Sequence, residues 1–572
     1  MKIREMRLNN KLRACLDTLK RFLAFVGPGY VIAVGYLDPG NWATDLAGGS
    51  KHGYSLLFII FLANIMAVLL QSLTVRLGVV TQRDLAENCR YLLPKYVNYA
   101  LYVLAELAII ACDLAEVIGS ALALNLLTGL ALPWGVLVTG LDVLFILAFY
   151  REGSMRTARI FEAFVIVLVS LVGACFIVEL VYANPNAVDV LKGYLPSGEL
   201  FTNGGMLYIA IGIIGATVMP HNLYLHSYLV QVRAQHVRAQ AEEEWRNFRS
   251  QVPRGSVVET AISSKDEDAS DYHGLASPKK VGINGKSADQ ISLKLVRDAI
   301  RDNMTFSIVD TIFALTFALF VNSAILIVSA ASFYYGSNKT DVASLHDAYD
   351  LLNQYLSRVA GFLFAFALLI AGQSSTLTAT LAGSVVMNGY LGLTLRPWLR
   401  RILTRGLAII PAMIVAISRG EQGLDSLLVM SQVALSIQLP FAVIPLVIFT
   451  SWKRVMRVTL HPRPADADLL ERRESKADGE VKSEQGEPSS QPPEAEAETE
   501  TEEKTEADAG ADAKSNISKT NNNNSTVEEA EDAQYIDFVN PIWLTVLGGA
   551  CALLLVGLNV FMLVQAFSGN VE

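Results

Sequence analysis

Eleven apolar blocks divide the chain and exclude an ordinary soluble fold. Most of them reach the length of about 20 residues that a helix needs to cross a bilayer, and hydrophobic residues make up 52% of the sequence. Because backbone polar groups find no water inside a bilayer, each block is expected to be helical. The sequence therefore predicts an all-α polytopic membrane protein. The predicted spans are residues 25–46, 55–79, 98–126, 132–150, 160–182, 203–231, 306–333, 358–386, 403–418, 426–450 and 541–566.

Basic residues alternate between the loops and predict the orientation of the chain. The segment 1–24 is rich in Lys and Arg, as are the loops after the second, fourth and eighth spans. Since cytosolic loops carry the excess of positive charge, we expect the N-terminus in the cytosol and the C-terminus on the other side. The first span lacks a signal-peptide cleavage site. We expect an integral protein of the plasma membrane or of an endosomal or vacuolar membrane.

Two polar inserts interrupt the apolar pattern on the predicted cytosolic side. The first covers residues 234–300 and contains AQAEEEWRNFR, for which we predict a short surface helix. The second is the loop 451–540, whose acidic stretch 464–532 contributes much of the net charge of −9. That composition buries too little apolar surface to fold, so the loop is expected to be disordered. A solvated linker and a regulatory segment are the two interpretations of each insert.

The first and sixth spans each contain a helix breaker. The first reads GYLDPGNWATD and puts Asp38 beside a Pro-Gly pair, and the sixth reads GIIGATVMPHNLYLHS and is interrupted at Pro220. Breaks at equivalent places indicate an inverted-repeat transporter with its site near the membrane midplane. The repeats would cover residues 25–182 and 203–450, with an eleventh helix at 541–566. Two unrelated proline kinks are the alternative.

The two breaks carry ligands for a divalent cation. Asp38 offers a carboxylate, Asn41 an amide oxygen, and the second break offers Met219 and the freed carbonyls near Ala216. A carboxylate at membrane depth costs at least ~2.5 kcal/mol and needs a partner. Oxygen ligands alone also accept Mg²⁺ and Ca²⁺, whereas a thioether favours transition metals such as Mn²⁺ and Fe²⁺. Core packing is the alternative for Met219.

The segments DPGNWATDL and GATVMPHNLYLHS closely resemble the two signature segments of the Nramp family of divalent-metal transporters. FALLIAGQSSTLTATLAG and SQVALSIQLPFAVIPL agree with the same family, and the resemblance covers essentially all eleven spans in order. It implies the LeuT-like fold of five plus five inverted helices and proton-coupled import of Mn²⁺ or Fe²⁺, with Cd²⁺, Co²⁺ and Zn²⁺ as further candidates, by alternating access. The ligands it implies are Asp38, Asn41, Met219 and the carbonyl of Ala216, with Gln432 approaching the ion and Gly35 lending a carbonyl.

Three carboxylates of the third span form a candidate proton path. Glu106, Asp113 and Glu116 are seven and three residues apart and fall on one side of a helix, which must face protein or water rather than lipid. Next to them, Cys112 departs from the family pattern, which has threonine there. Ser384 and Asn388 of the eighth span depart from it as well. A purely structural charge network is the alternative to the proton path.

Two histidines and two arginines extend the candidate path. His221 and His226 flank the sixth-span break, and imidazole titrates near neutral pH. Their alternative role is to satisfy freed carbonyls. Arg400 and Arg401 precede the ninth span and are candidates for the far end of the path, or ordinary cytosolic anchors.

Rival functions share some of these features. A metal-gated channel or a non-transporting metal sensor fits the long inserts, and an amino-acid carrier of the same fold fits the broken helices, although Asp38 would repel a substrate carboxylate. No hydrolytic triad, phosphate loop or HExxH helix indicates an enzyme. Five cysteines without a CxxC pair predict packing roles. We expect a monomer in lipid that handles metal ions and protons, without a cofactor or nucleic acid.

Overall fold

The computed structural model describes residues 27–149, 155–251, 288–335, 345–355, 357–393, 397–459 and 535–567. It divides into two compact units, one comprising Met1–Arg457 and Asp537–Glu572, the other Val458–Ile536. The predicted N-terminal segment 1–24 and most of the loop 451–540, including its acidic stretch, lie outside the described residues. Their predicted location and disorder stay predictions.

A helix occupies each of the eleven predicted spans, and two of these helices are broken. The predicted helical membrane fold is therefore confirmed. A π-helical turn, Ala330–Tyr334, continues the helix of the seventh span. In chain order the helices are α1 (Pro28–Gly35), α2 (Pro39–His52), α3 (Leu57–Thr81), α4 (Leu85–Leu92), α5 (Lys95–Thr128), α6 (Leu132–Phe149), α7 (Met155–Ala183), α8 (Ala187–Gly193), α9 (Gly204–Thr217), α10 (Pro220–Gln251), α11 (Ala288–Ser329), α12 (Leu345–Tyr355), α13 (Arg358–Leu391), α14 (Pro397–Ser418), α15 (Gly420–Ser451) and α16 (Ile542–Phe567).

Eight stretches of the described chain are long and apolar enough to cross a membrane. The number is below eleven partly because Pro39–Thr81 counts as one stretch and because Ile402–Ser418 is shorter. The most apolar window of Gly204–Gln235 is 94% buried, whereas that of Ile542–Gln565 is 28% buried. The broken sixth span is therefore enclosed by other helices, whereas most of the last helix is exposed at the surface of the bundle.

The helices beside the first insert extend further than hydrophobicity predicts. α10 continues to Gln251 and α11 begins at Ala288. The AQAEEEWRNFR segment is thus the end of a continuous helix, not a separate surface helix. The predicted ends follow the loss of apolar residues, but Ala, Gln, Glu and Arg are good helix formers and prolong the helix beyond the apolar stretch. The middle of the predicted insert 234–300, residues 252–287, lies outside the described residues.

Arg76 of α3 forms hydrogen bonds with the segment just before the last span. Its Nε donates to Asn540 Oδ1 (2.7 Å), and its Nη2 donates to the carbonyls of Phe538 (2.9 Å) and Val539 (3.3 Å). The backbone N–H of Asn540 also donates to the carbonyl of Thr450 near the end of α15 (3.2 Å). The eleventh span therefore has its own polar anchor on the ten-span core.

Two short strands, β1 (Arg457–Thr459) and β2 (Tyr535–Asp537), pair in a two-stranded sheet. The all-α prediction does not include these strands. Three residues are too few for an alternating pattern to be recognised in the sequence.

Candidate metal site and proton path

Each break ends at a proline that leaves one carbonyl without its helical donor. Pro39 is the first residue of α2 and Pro220 the first residue of α10, a position that tolerates proline because its N–H would have no intrahelical partner. In a continuous helix these two residues would donate to the carbonyls four residues earlier, those of Gly35 and Ala216. The prolines thus free one carbonyl at each break, and both carbonyls are candidate metal ligands.

Asp38 caps the second half of the first broken helix. It is completely buried, its backbone is extended (φ −68°, ψ 162°), and its carboxylate accepts from the N–H groups of Gly40 (3.2 Å) and Asn41 (3.0 Å). A carboxylate suits this position because it satisfies orphan N–H groups and faces the positive end of the helix dipole. The cap therefore stabilises a buried carboxylate at the break.

Asn41 connects the two breaks. Its Nδ2 donates to Asp38 Oδ1 (2.6 Å) and to the carbonyl of Ala216 (2.9 Å). Its Oδ1 accepts from Thr217 Oγ1 and from Asn322 Nδ2, each at 3.4 Å. Two oxygens from different helices thus converge on one point, and a half-turn of the amide would bring a third oxygen to it. Three converging oxygens repel one another unless a cation lies among them, as in oxygen-ligated metal sites.

Asn322 of α11 belongs to this site and is not among the ligands predicted from the sequence. Besides its bond to Asn41, its Nδ2 donates to the carbonyl of Tyr36 in the first break (3.0 Å). The signal lies in the segment FVNSA, which places an amide in the middle of an apolar span. A polar side chain at this depth needs a partner, and here the partners are the groups freed by the break.

Gln432 of α15 contacts both breaks. Its side-chain amide lies against Gly40, where a Cβ would overlap it, and its backbone carbonyl lies equally close to Gly215. Its Nε2 donates to Ser431 Oγ (2.9 Å), while its Oε1 has no hydrogen-bond partner among the described residues. Buried polar atoms are normally paired, so this oxygen is a candidate for a further ligand.

Met219 lies in the unwound segment before α10 and is completely buried. Its side chain packs in an apolar cluster, which is what core packing predicts, and its position at the break is also the one that a ligand would have. The buried members of the cluster are Ala108, Cys112, Met219, Ala379 and Leu435. Gly35, at the end of α1, packs against the side-chain amide of Asn222, which would overlap a Cβ there.

Glu116 of α5 forms a buried ion pair with Arg405 of α14. The Nη1–Oε2 distance is 3.3 Å, and Thr376 Oγ1 donates to the same carboxylate oxygen at 3.0 Å. The Sγ of Cys112 lies 3.6 Å from Glu116 Oε1 and 3.7 Å from His221 Nε2. A polar chain therefore runs from the second break, at His221, through Cys112 and Glu116 to Arg405.

The other two carboxylates of the third span differ in exposure. Asp113 is completely buried, and Glu106, about two turns earlier, is partly exposed. Burial of both Asp113 and Glu116 shows that this face of α5 lies against protein rather than lipid.

His226 belongs to a different network. Its Nδ1 lies 2.8 Å from Gln71 Oε1 and 3.1 Å from Thr74 Oγ1, both on α3, and its Nε2 lies 3.3 Å from Thr311 Oγ1 on α11. Gln71 Nε2 in turn donates to the hydroxyl of Tyr36 in the first break (3.0 Å). The two candidate histidines are thus divided, one on the carboxylate chain and one on a network that joins α3, α10 and α11.

Arg405 is the arginine that the described structure places on the carboxylate chain. The side chains of Arg400 and Arg401 lie outside the described residues, although their backbone belongs to α14. Arg405 falls inside the predicted span 403–418, and a charge at membrane depth needs a partner. That signal distinguishes it from the arginines of the adjoining loop.

The candidate ligands at the breaks include few charged groups. Within the described residues, no three His, Cys, Asp or Glu side chains are grouped so that they could hold a metal ion. The convergent groups at the breaks comprise one carboxylate, with amide and carbonyl oxygens around it.

A buried site between two broken helices in a helical membrane bundle defines a transporter of the LeuT-like fold. The family model described as Natural resistance-associated macrophage protein-like matches residues 29–265 and 277–464. This is well over half of the chain, and the chain therefore belongs to the Nramp family.

Relatives and a known structure agree with this family. The divalent metal cation transporter MntH of Nostoc sp. is 49% identical over 445 residues, covering 77% of this chain and 86% of that protein. MntH of Listeria monocytogenes is 46% identical over 444 residues, covering 77% and 85%. The crystal structure of the Eremococcus coleocola manganese transporter with an aromatic bis-isothiourea compound has a TM-score of 0.64 and 28% identity, covering 97% of this chain and 90% of that chain.

Proposed function

We propose that this chain imports divalent transition metals into the cytosol, with Mn²⁺ and Fe²⁺ as the main substrates and Cd²⁺, Co²⁺ and Zn²⁺ as further ones. The observation that carries the proposal is the Asn41 amide between Asp38 Oδ1 (2.6 Å) and the carbonyl of Ala216 (2.9 Å). A cation at this point would be held by both breaks. Nramp membership and the relatives named as divalent metal and manganese transporters support the same substrate class.

The ligand set favours Mn²⁺ and Fe²⁺ over harder ions. Asp38 supplies the charge, while Asn41 and the carbonyl of Ala216 supply neutral oxygens. Met219 supplies a sulfur when the second break rearranges around the ion, and Gln432 and the carbonyl of Gly35 complete the set. Ca²⁺ prefers six to eight oxygen ligands and Mg²⁺ keeps its waters, so neither ion gains from the thioether.

Alternating access follows from the division of the ligands between two unwound segments. Asp38 and Asn41 move with the first broken helix, and Ala216 and Met219 with the second. Tilting one half-helix opens the site to one side of the membrane and separates part of the ligand set. Metal binding and release are thereby linked to the same movement.

A proton accompanies the metal along α5 in this proposal. A divalent ion at Asp38 repels protons from nearby groups, and His221 is the titratable residue that follows the second break. From His221 the polar chain leads through Cys112 to Glu116 and Arg405. Asp113 and Glu106 lie on the same helix and extend the path, and Arg400 and Arg401 follow on the α14 side.

The proposal includes the orientation and the cell location. The N-terminus and the segments 234–300 and 451–540 would be cytosolic, the C-terminus would face the opposite side, and a monomer would work in the plasma membrane or in an endosomal or vacuolar membrane. The alternation of basic loops supports this orientation.

Uptake into liposomes tests the function. Purified protein is reconstituted with a Mn²⁺-quenched dye inside, and an acidic exterior is imposed at zero membrane potential. We expect Mn²⁺ to accumulate above its external concentration, and an internal pH dye to show acidification that requires Mn²⁺. The variant Asn41→Ala should abolish both signals, whereas Asn125→Ala, which removes the bond to the Leu130 carbonyl in a connecting loop (2.9 Å), should keep them.

Each rival function gives a different result in the same liposomes. A channel would equilibrate Mn²⁺ without accumulation, a sensor would show no flux, and an amino-acid carrier would take up a labelled amino acid instead. Any of these outcomes would overturn the proposal.

A further inference from the structure

Asp310 of α11 holds the N-terminus of α1, the short first half of the first broken helix. Its side chain is 1% exposed, and its Oδ2 accepts from the backbone N–H groups of Gly29 (2.8 Å) and Gly27 (3.3 Å). The first N–H groups of a helix have no intrahelical partner, and the positive end of the helix dipole lies there. A buried carboxylate is therefore well placed to bind this end of α1.

Two glycines make the contact possible. At Gly29 a Cβ would lie 2.9 Å from the carbonyl carbon, the carbonyl oxygen and Oδ2 of Asp310, so any larger residue would push the two helices apart. Gly27 has a φ of 156°, a conformation that residues with a side chain rarely adopt. The sequence GPG at residues 27–29 thus permits a close and directed approach to α11.

α11 holds α1 at both of its ends. Asp310 binds the N-terminal end, and Asn322, twelve residues later, donates to the carbonyl of Tyr36 just beyond the C-terminal end (3.0 Å). At 1.5 Å per residue the two contacts lie about 18 Å apart along α11. Asp310 also precedes Thr311, which contacts His226 of α10. Because the earlier residue of α11 binds the start of α1 and the later one binds its end, α1 and α11 run in the same direction. α11 thus lies along the whole length of α1.

We propose that Asp310 is a positioning residue that keeps α1 docked and so stabilises the form in which the site is closed to the cytosol. The inference rests on the proposed function, because cytosolic release requires the half-helix before Asp38 to move. Asp310 does not touch the metal; it acts through the backbone of Gly27 and Gly29. Arg233 of α10 lies within electrostatic range of Asp310, and Asp310→Asn leaves Arg233 itself in place.

The variant Asp310→Asn tests the role of the charge. Its amide oxygen can still accept from both glycines but no longer interacts as an anion with the helix dipole. We expect the ratio of cytosol-open to cytosol-closed protein to rise by about tenfold, a factor that corresponds to about 1.4 kcal/mol. Val31→Cys, made in a Cys15→Ser background, places a thiol at a buried residue of α1. Its rate of labelling by a membrane-impermeant thiol reagent in inside-out vesicles reports this change.

Two further measurements separate positioning from general damage. The external Mn²⁺ concentration for half-maximal uptake should rise severalfold, because fewer molecules offer the outward-facing site. Mn²⁺ affinity of an Asp310→Asn protein held closed by a cross-link between α1 and α11 should equal that of the wild type treated in the same way. Asp302→Asn, which removes an exposed carboxylate from the same helix, is the matched control and should leave labelling and uptake unchanged.

Gly29→Ala provides an independent test should the asparagine variant fail to fold, because its methyl group displaces α1 from Asp310 without altering any charge. It should accelerate labelling in the same direction. If Asp310→Asn folds and is labelled at the wild-type rate, the proposed role of Asp310 is overturned. If only Gly29→Ala folds, a wild-type labelling rate in that variant overturns it. Failure of the proposed function is distinguishable, since wild-type liposomes would then take up no Mn²⁺ while the labelling experiment would still report on the docking of α1.

Discussion

Replacing Asp38 by asparagine separates its two roles, capping α2 and binding the metal. The variant Asp38→Asn keeps the size of the side chain and an oxygen that can accept from the N–H groups of Gly40 and Asn41, which lie 3.2 and 3.0 Å from the native carboxylate. Asparagine and aspartate are about equally good N-caps, so we expect the free energy of unfolding to change by less than about 1 kcal/mol. The principal loss is the negative charge.

Metal affinity should fall far more than stability. Loss of an outer hydrogen-bond partner of a ligand already costs about 10–100-fold in metal affinity. Asp38 is the one carboxylate among the proposed ligands, so its neutralisation should cost more than about 100-fold, or about 2.8 kcal/mol. Asp38→Ala should abolish Mn²⁺ uptake, because it removes the charge and the cap together.

Calorimetric titration of the purified protein with Mn²⁺ measures the affinity, and thermal unfolding measures the stability. Asp84→Asn is the matched control, because Asp84 is also a buried N-cap, with its carboxylate 2.8 Å from the N–H of Glu87 at the start of α4. It should bind Mn²⁺ as the wild type does. An affinity of Asp38→Asn within about threefold of wild type would refute the assignment of Asp38 as the charged ligand.

Four further predictions address the proton path, metal selectivity, the acidic stretch 464–532 and the anchoring of the last helix. Glu116→Gln should lower proton entry per Mn²⁺ in liposomes and, by neutralising the carboxylate of the buried ion pair with Arg405, destabilise the protein by about 3–5 kcal/mol. Adding Arg405→Met should restore the melting temperature but not the proton flux, and restored flux would remove Glu116 from the path. Met219→Ala should let excess Ca²⁺ inhibit Mn²⁺ uptake if the thioether is a ligand, whereas a core role predicts a loss of about 2–5 kcal/mol in stability with selectivity unchanged. Deletion of residues 464–532 should leave uptake by membrane-inserted protein unchanged, and reduced uptake would reveal a regulatory insert. Arg76→Ala should lower the melting temperature and expose the chain before α16 to protease, while calorimetric Mn²⁺ affinity stays at the wild-type value; equal protease resistance would contradict the anchoring role.

The breaks are predictable from the sequence because their causes are local. A proline removes the donor for the carbonyl four residues earlier, and the sequence alone therefore identifies the regions of Gly35 and Ala216. Asp38 next to Pro39 is a local cap signal of the same kind. The positions of the eleven helices follow from apolar length, although the ends of α10 and α11 do not, because helix propensity continues past the last apolar residue.

The partners of the buried polar groups are not predictable in this way. Glu116 and Arg405 are 289 residues apart, and Asn322 and Asn41 are 281 residues apart. The sequence indicates that each of these groups needs a partner at membrane depth, but the packing of the spans decides which partner it meets. The same reason explains why His221 and His226, five residues apart and equally plausible as proton carriers, belong to separate networks.

The two breaks contact different helices of the bundle. The first is held from α11, through Asp310 at the start of α1 and Asn322 at Tyr36. At the second, His221 of α10 lies beside Cys112 of α5, which in turn contacts Glu116. Asn41 joins the two breaks, because its amide binds the Asp38 carboxylate and the carbonyl of Ala216 at once. A metal that takes the place of this amide would therefore alter the first break, which adjoins α1, and the second break, where the proposed proton path would start. Metal movement and proton movement would then be coupled through one site without a direct contact between Asp38 and Glu116.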